Sequence, residues 1–280
     1  MVAPGKDLGQ NDGRMIPTFE EASVVRRTGP GSFETSVPDG WQQGRGAFGG
    51  LVYGILARAM ETELAEPKRR LQTLAGDIAG PVLPGAASIQ VEVLRRGAKQ
   101  SNLQARLSQA GHVLAVASGV FCAPRAVQMP ALRGVETPDR AAWDQLEVLP
   151  VEPPIGPDFA RAYEYRLAGP APLSGSRDAE TAGYIRERSI PSRRDAPSVI
   201  GLLDAWWPTL WSIIAEPRPV ATTSFFAEIL LDPARLDPVD RLFHDARMAG
   251  QGDGFFVELR ALWSGDVCVA MNQQIFAVLR

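Results

Sequence analysis

The chain has 280 residues, 45% hydrophobic and 22% charged; at roughly 150 residues per domain this means about two domains or one large one, with apolar mass for a substantial core. Its 29 Lys plus Arg against 32 Asp plus Glu leave a net charge of −3, which excludes the broad basic surface that nucleic acid or an anionic membrane requires. Two cysteines, Cys122 and Cys268, and two histidines, His112 and His244, match no zinc spacing and are too few for a disulfide framework, so no metal site is expected and both cysteines read as small apolar strand residues.

In chain order, residues 1–17 read as a flexible N-terminus without the apolar core of a signal peptide. No run of about 18 apolar residues suggests a membrane span, and the cytoplasm is the expected location. Residues 18–123 form a first unit. In it, 47–65 (AFGGLVYGILARAMETELA) reads as one mostly buried helix, followed by half-buried antiparallel strands at 88–94, 102–109 and 113–121. A tight turn at Ala110-Gly111 joins the last two strands. The proline-rich stretch 124–158 reads as a linker, with a short helix near 140–146. Residues 159–280 repeat the first pattern: strands at 159–167 and 181–188, an apolar helix over 198–214 opened by Pro197 with Ser198 as N-cap, then strands at 220–231, 241–249, 255–263 and 267–279.

A shift of 154 residues sets Gly111 on Gly265, Val113 on Val267, Ala115 on Val269 and Phe121 on Ile275, so the last hairpin occurs twice. The same shift sets Gly50 on Asp204, while Thr73 meets Thr222 at a shift of 149. The expected architecture is α+β, two repeats of a long helix wrapped by a curled antiparallel β-sheet.

Gly40-Trp41 leading into Gly46-Ala47-Phe48-Gly49-Gly50, the run Arg95 to Ser101 and the Gln109-Ala110-Gly111 hairpin stand in the first half. Leu202-Leu203-Asp204-Ala205, Ala221 to Ser224 and Asn272-Gln273-Gln274 stand in the second. In this order and spacing they resemble the acyl-CoA thioesterase II family and its thioesterase-like relatives, over roughly 18–280. The resemblance implies a double hotdog fold and a hydrolase of lipid metabolism acting on an acyl-CoA substrate, without cofactor. It also implies that Asp204, Thr222 and Gln274 jointly hold and activate the attacking water. Strand alternation favours Thr222 over the adjacent Thr223 by setting Thr223, Phe225, Ala227 and Ile229 on the apolar face. Gln274, rather than Gln273, keeps the family's spacing. Open sheet edges make a homo-oligomer an expectation.

Hydrolysis of a thioester needs an oriented water, a proton acceptor and donors aimed at the developing oxyanion. Asp204 lies beyond the first turn of its expected helix, so it is not there as a cap, and its apolar neighbours require partners or a raised pKa. The competing reading is a carboxylate that reaches solvent or pairs with an Arg. Phe48, Gly49, Gly50 and Trp206 are the expected substrate-binding residues: the glycines open a helix start to a thioester carbonyl, or simply allow close packing. Trp206, Trp207 and Trp211 line an acyl tunnel or belong to the core. Arg95, Arg96 and Lys99, or Arg186, Arg188, Arg193 and Arg194, either receive CoA phosphates or form solvated surface. Two other functions fit the same outline, a non-catalytic acyl-CoA-binding protein and an enoyl-CoA hydratase-like enzyme; the second lacks an acidic residue and a histidine together at a helix start.

Overall fold

The computed structural model describes residues 16–125, 127 and 138–279; the expected flexible N-terminus before residue 16, and residues 126 and 128–137 of the expected linker, lie outside them. The first half contains a capped helical turn α1 (Phe19–Ala22), β1 (Arg26–Gly29), β2 (Ser32–Val37), a ribbon of β3 (Gln42–Gln43) and β4 (Gly46–Ala47), α2 (Gly49–Leu64), β5 (Arg70–Ile78), β6 (Gly85–Arg96), β7 (Gln100–Gln109) and β8 (His112–Cys122). The second contains β9 (Val148–Leu149), β10 (Tyr163–Leu167), β11 (Glu180–Glu187), α3 (Ala196–Asp204), α4 (Leu210–Ile213), β12 (Val220–Ile229), β13 (Leu242–Gly252), β14 (Phe255–Ser264) and β15 (Val267–Val278). Near 140–146 there is only a single tight turn at Trp143–Gln145.

One antiparallel sheet runs β1-β2-β6-β7-β8-β5-β12-β15-β14-β13-β11-β10-β9. Outward from the seam between β5 and β12, the order is β5, β8, β7, β6, β2 on one side and β12, β15, β14, β13, β11 on the other. Two hotdog units therefore share a sheet, with α2 and α3 packed against each other and against its inner face. Leu51, Val52, Tyr53, Ile55, Leu56 and Ala57 of α2 are all fully buried, so the first two turns of this helix are enclosed on every side, while Arg58, Glu61, Thr62 and Glu63 bring its last turns towards solvent.

The bulges correct the repeat. In the hairpin of β7 and β8 the extra residue is Leu114, and in that of β14 and β15 it is Val269. Superposing them requires 155 residues, which also sets His112 on Val267 at the two hairpin tips. Gln274 then corresponds to Gly119, not Val120. On β5 and β12 the equivalent bulges fall at Gln72 and Thr223, so Thr222 corresponds to Leu71.

The second helix also departs from expectation. It is capped by Asp195, whose carboxylate accepts from Ser198 N–H at 2.9 Å, with the Ser198 hydroxyl returning the contact to Asp195 N–H; Ser198 is therefore the third helical residue, not the N-cap. It stops at Asp204 after nine residues, against sixteen in α2. Pro208 supplies no N–H and disfavours helical backbone at Trp207, so the expected single helix to Ile214 becomes α3, a turn, and the four-residue α4.

The helix pair is set by glycines and one wedge. A Cβ at Gly54 of α2 would lie 2.7 Å from the Phe19 ring, and one at Gly201 of α3 would lie 2.5 Å from it. Phe19, 5% exposed, thus packs against both helices at once. Truncating it leaves a cavity between them, and Phe19→Ala should cost about 3–5 kcal/mol in urea unfolding; a loss under about 1 kcal/mol would contradict this packing.

Candidate active site

Asp204 ends α3 and is the only residue of that helix that is not buried. Val199, Ile200, Leu202 and Leu203, all fully buried, fix the roll of the helix and leave its last side chain at the edge of the core. Gln274, 1% exposed, points inward from β15 in the row Asn272, Gln274, Phe276, whereas Gln273 faces outward and is exposed. The Gln274 amide Nε2 donates to Asp204 Oδ1 at 3.0 Å and to Thr222 Oγ1 at 2.7 Å. Its Oε1 is buried and has no hydrogen-bond partner among the described residues. The amide orientation follows from the chemistry: an ionised carboxylate is acceptor-only, so the NH₂ end must face Asp204.

Thr222 joins this group because of a bulge, not because of alternation. Thr223 is the extra residue of β12, its hydroxyl turned to the Ile275 carbonyl at 3.2 Å and its side chain exposed. Thr222 pairs with Phe276 and Phe225 pairs with Gln274, so Thr222 shares the inner face with Phe225 instead of lying opposite it. A strict two-residue period cannot see this, since a bulge reverses the faces on one side of it.

The carboxylate also meets the start of α2. A Cβ at Gly49 would lie 2.9 Å from Asp204 Oδ2; at Gly50 it would lie 2.5 Å from the Phe48 ring and 3.1 Å from Asp204 Cβ. Only glycines permit this approach. The N-cap residue Phe48 has no capping side chain, and the Gly50 N–H is directed at the Asp204 carboxylate. Asp204 thus lies in the positive field of the α2 N-terminus, close against its first two residues. Burial raises the Asp204 carboxyl above the usual carboxylate range, and Arg260, the Gln274 amide and the Gly50 N–H pull it back.

The other expected substrate-binding residues are packed. Phe48 is fully buried and stacks on Phe159 with ring centroids 3.9 Å apart. Trp206, 2% exposed, lies between Trp207 and His244, and its indole N–H is taken by Thr181 Oγ1 at 2.8 Å. Arg194, counted among candidate phosphate ligands, is 1% exposed and paired with Glu187 at 2.8 Å; neither surface nor phosphate ligand describes it. Sequence reading passed over Glu258 and Arg260, both buried on the inner face of β14. Alternation could not have found them: Phe255, Val257, Leu259, Ala261 and Trp263 make the odd face wholly apolar, which assigns both charges to the solvent face.

Family models for the acyl-CoA thioesterase N-terminal domain and C-terminal domain match residues 37–122 and 133–278. The chain belongs to the acyl-CoA thioesterase family. It is a thioester hydrolase by class. Among curated proteins no sequence matches it. Solved structures share its fold: a hot dog protein of unknown function from Alicyclobacillus acidocaldarius is 21% identical with a TM-score of 0.84, covering 94% of this chain and 98% of that one. The acyl-CoA thioesterase II TesB2 from Mycobacterium marinum is 16% identical with a TM-score of 0.74, at 94% and 98% coverage. The tesB protein of Mycobacterium avium subs paratuberculosis is 14% identical with a TM-score of 0.76, at the same coverage.

In this thioesterase the raised Asp204 carboxyl has a cost in stability. Because its folded value lies above the unfolded one, its contribution is complete at acid pH below the unfolded value and is lost as pH rises through the folded value. Asp204→Asn should therefore melt at the same or a higher temperature than the parent at pH 8, with the gap closing on acidification. A lower Tm for the variant at pH 8 would contradict that placement.

Proposed function

We propose that the chain hydrolyses acyl-CoA thioesters by direct attack of a water that Asp204, Thr222 and Gln274 hold and activate. The observation that carries this reading is the double donation of Gln274 Nε2 to Asp204 and Thr222, with its Oε1 left buried and without a partner among the described residues. A water in this cluster donates one hydrogen to Asp204 and the other to Gln274 Oε1, and accepts from the Thr222 hydroxyl, whose lone pair already receives Gln274. Its remaining lone pair is free for the thioester carbonyl.

Attack forms the new C–O bond as Asp204 takes the proton, so Asp204 must be ionised beforehand. The carbonyl oxygen becomes an oxyanion, for which the N-terminus of α2 offers the Gly49 N–H and the positive end of the helix. Collapse breaks the C–S bond, the CoA thiolate leaves, and the proton held by Asp204 returns to the thiolate or to solvent. In this reading the units are 18–123 and 159–280 with 124–158 between them. One site per chain is built from both: the acid-base group and its two partners from the second, the glycine-opened helix start from the first. Gly119 and Leu71, at the positions equivalent to Gln274 and Thr222, can do no such work.

Free thiol released from a panel of acyl-CoAs tests the reading. Asp204→Asn should lose turnover by about 10²-fold or more while remaining folded, and undiminished hydrolysis would overturn it; tight acyl-CoA binding without thiol release by the parent protein would indicate a binding module instead. Thr222→Val should lower kcat by about tenfold or more with little change in KM, while Thr223→Val, on the outward bulge, leaves both near the parent values. The reverse pattern would overturn the role of Thr222.

A further inference from the structure

We infer that Arg260, held by Glu258, is a positioning residue for this reaction: it fixes the turn that presents Asp204. The inference rests on Asp204 being the base. Glu258 and Arg260 stand two apart on the inner face of β14, 0% and 2% exposed, and pair across the sheet with Gln274 and Asn272. The ion pair therefore lies in the same row of side chains as the amide that orients the water.

The contacts clamp the turn after α3 from both ends. Arg260 Nε and Nη2 reach Glu258 Oε2 at 2.9 Å and 2.8 Å, and Nη1 donates to the Trp206 carbonyl at 3.2 Å. The other Glu258 oxygen accepts the Thr209 N–H at 2.5 Å and the Thr209 hydroxyl at 2.7 Å. Between these points Pro208 has no N–H to give, and just before them the Tyr165 hydroxyl donates to the Ala205 carbonyl at 3.1 Å. The guanidinium also lies 5.2 Å from the centre of the Phe276 ring, the cross-strand partner of Thr222. One buried pair thus touches the segment that follows Asp204 and lies on the strand next to the one carrying Gln274, with Thr222 one strand further on.

Stability alone does not account for the pair. Desolvating two charges offsets most of their attraction, and well-packed apolar side chains at such positions do as well or better. The electrostatics do account for it. The groups facing Asp204 are Tyr53 from α2, Tyr163 and Tyr165 from β10, Glu258 and Arg260 from β14, Gln274 from β15 and the Gly50 N–H. The tyrosines are held neutral by burial. Glu258 opposes ionisation of Asp204, and Arg260 is the largest influence favouring it. His244, stacked on Trp206, adds no charge: burial and Arg260 push its imidazole well below the usual range.

The test is the pH profile of kcat/KM for Arg260→Met, Arg260→Lys and the double variant Glu258→Gln/Arg260→Met, with KM and far-UV circular dichroism measured alongside. Arg260→Met should move the acid limb to higher pH and lower turnover at the acidic end by about tenfold or more, with KM nearly unchanged. Arg260→Lys, which keeps the charge and loses the fork, should return the limb towards the parent position. The double variant leaves no unpaired buried charge and is read in place of Arg260→Met should that protein fail to fold; its limb should move in the same direction. A folded double variant with the parent's limb and kcat would overturn the inference, provided that Asp204→Asn is inactive. If Asp204→Asn hydrolyses normally, the reading of Asp204 as base has failed instead.

Discussion

A carboxylate held at the meeting point of two helix ends, mostly out of water, is the constraint around which the rest of the structure is arranged. Asp204 terminates α3 and faces the first turn of α2, and Gly49 and Gly50 are there because any side chain would collide with it or with the Phe48 ring. Burial disfavours its charge, and the chain answers with an amide, a backbone N–H at a helix start and a guanidinium. Each answer comes from a different element, so the inner ends of α2, α3, β14 and β15 must keep their mutual positions for the site to exist. The Phe19 wedge between Gly54 and Gly201, about one helical turn from Asp204, contributes to that by fixing how the two helices cross.

The fold is a near-symmetric duplication, but the proposed chemistry uses the symmetry unequally. Strand order, bulges and hairpins correspond across the β5 and β12 seam. The side chains do not: Gln274 faces Gly119 and Thr222 faces Leu71 in the comparison of the two halves. The first half keeps the longer helix and lends its N-terminus, whereas the second shortens its helix at Asp204 and turns sharply through Pro208. That turn brings the Trp206 carbonyl and Thr209 N–H within reach of the buried pair on β14. A duplicated scaffold can give up one potential site in this way while using its backbone to serve the other.

Much of this was legible in the sequence, and the parts that were not share a physical reason. Hydrophobic periodicity marked the buried first helix and most strands, and the repeated hairpin marked the duplication, because those features are local. Bulges are not legible: Leu114, Val269, Gln72 and Thr223 each add one residue to a strand without any residue type that announces it. They shifted the repeat from 154 to 155 and changed the face on which Thr222 lies, bringing its hydroxyl to the Gln274 amide. The end of α3 was obscured by the apolar run through Ile214, where Pro208 carried more weight than the hydrophobicity around it. Strand β5, which forms the seam, escaped notice because its bulge disrupts alternation between Leu71 and Leu74. Glu258 and Arg260 were not readable either: alternation on β14 favours burying the apolar face of Val257, Leu259 and Ala261, and only the contact with the turn after Asp204 accounts for two buried charges.

The claim on which this account depends is that water, not a protein carboxylate, attacks the thioester, with Asp204 taking its proton. A single turnover in ¹⁸O-labelled water, with enzyme in excess over acyl-CoA, tests it most directly. The account predicts one ¹⁸O in the released acid from the first turnover and none in the peptide that contains Asp204. An unlabelled first-turnover acid with ¹⁸O in the Asp204 carboxylate would mean that Asp204 attacks the carbonyl itself, and would contradict it.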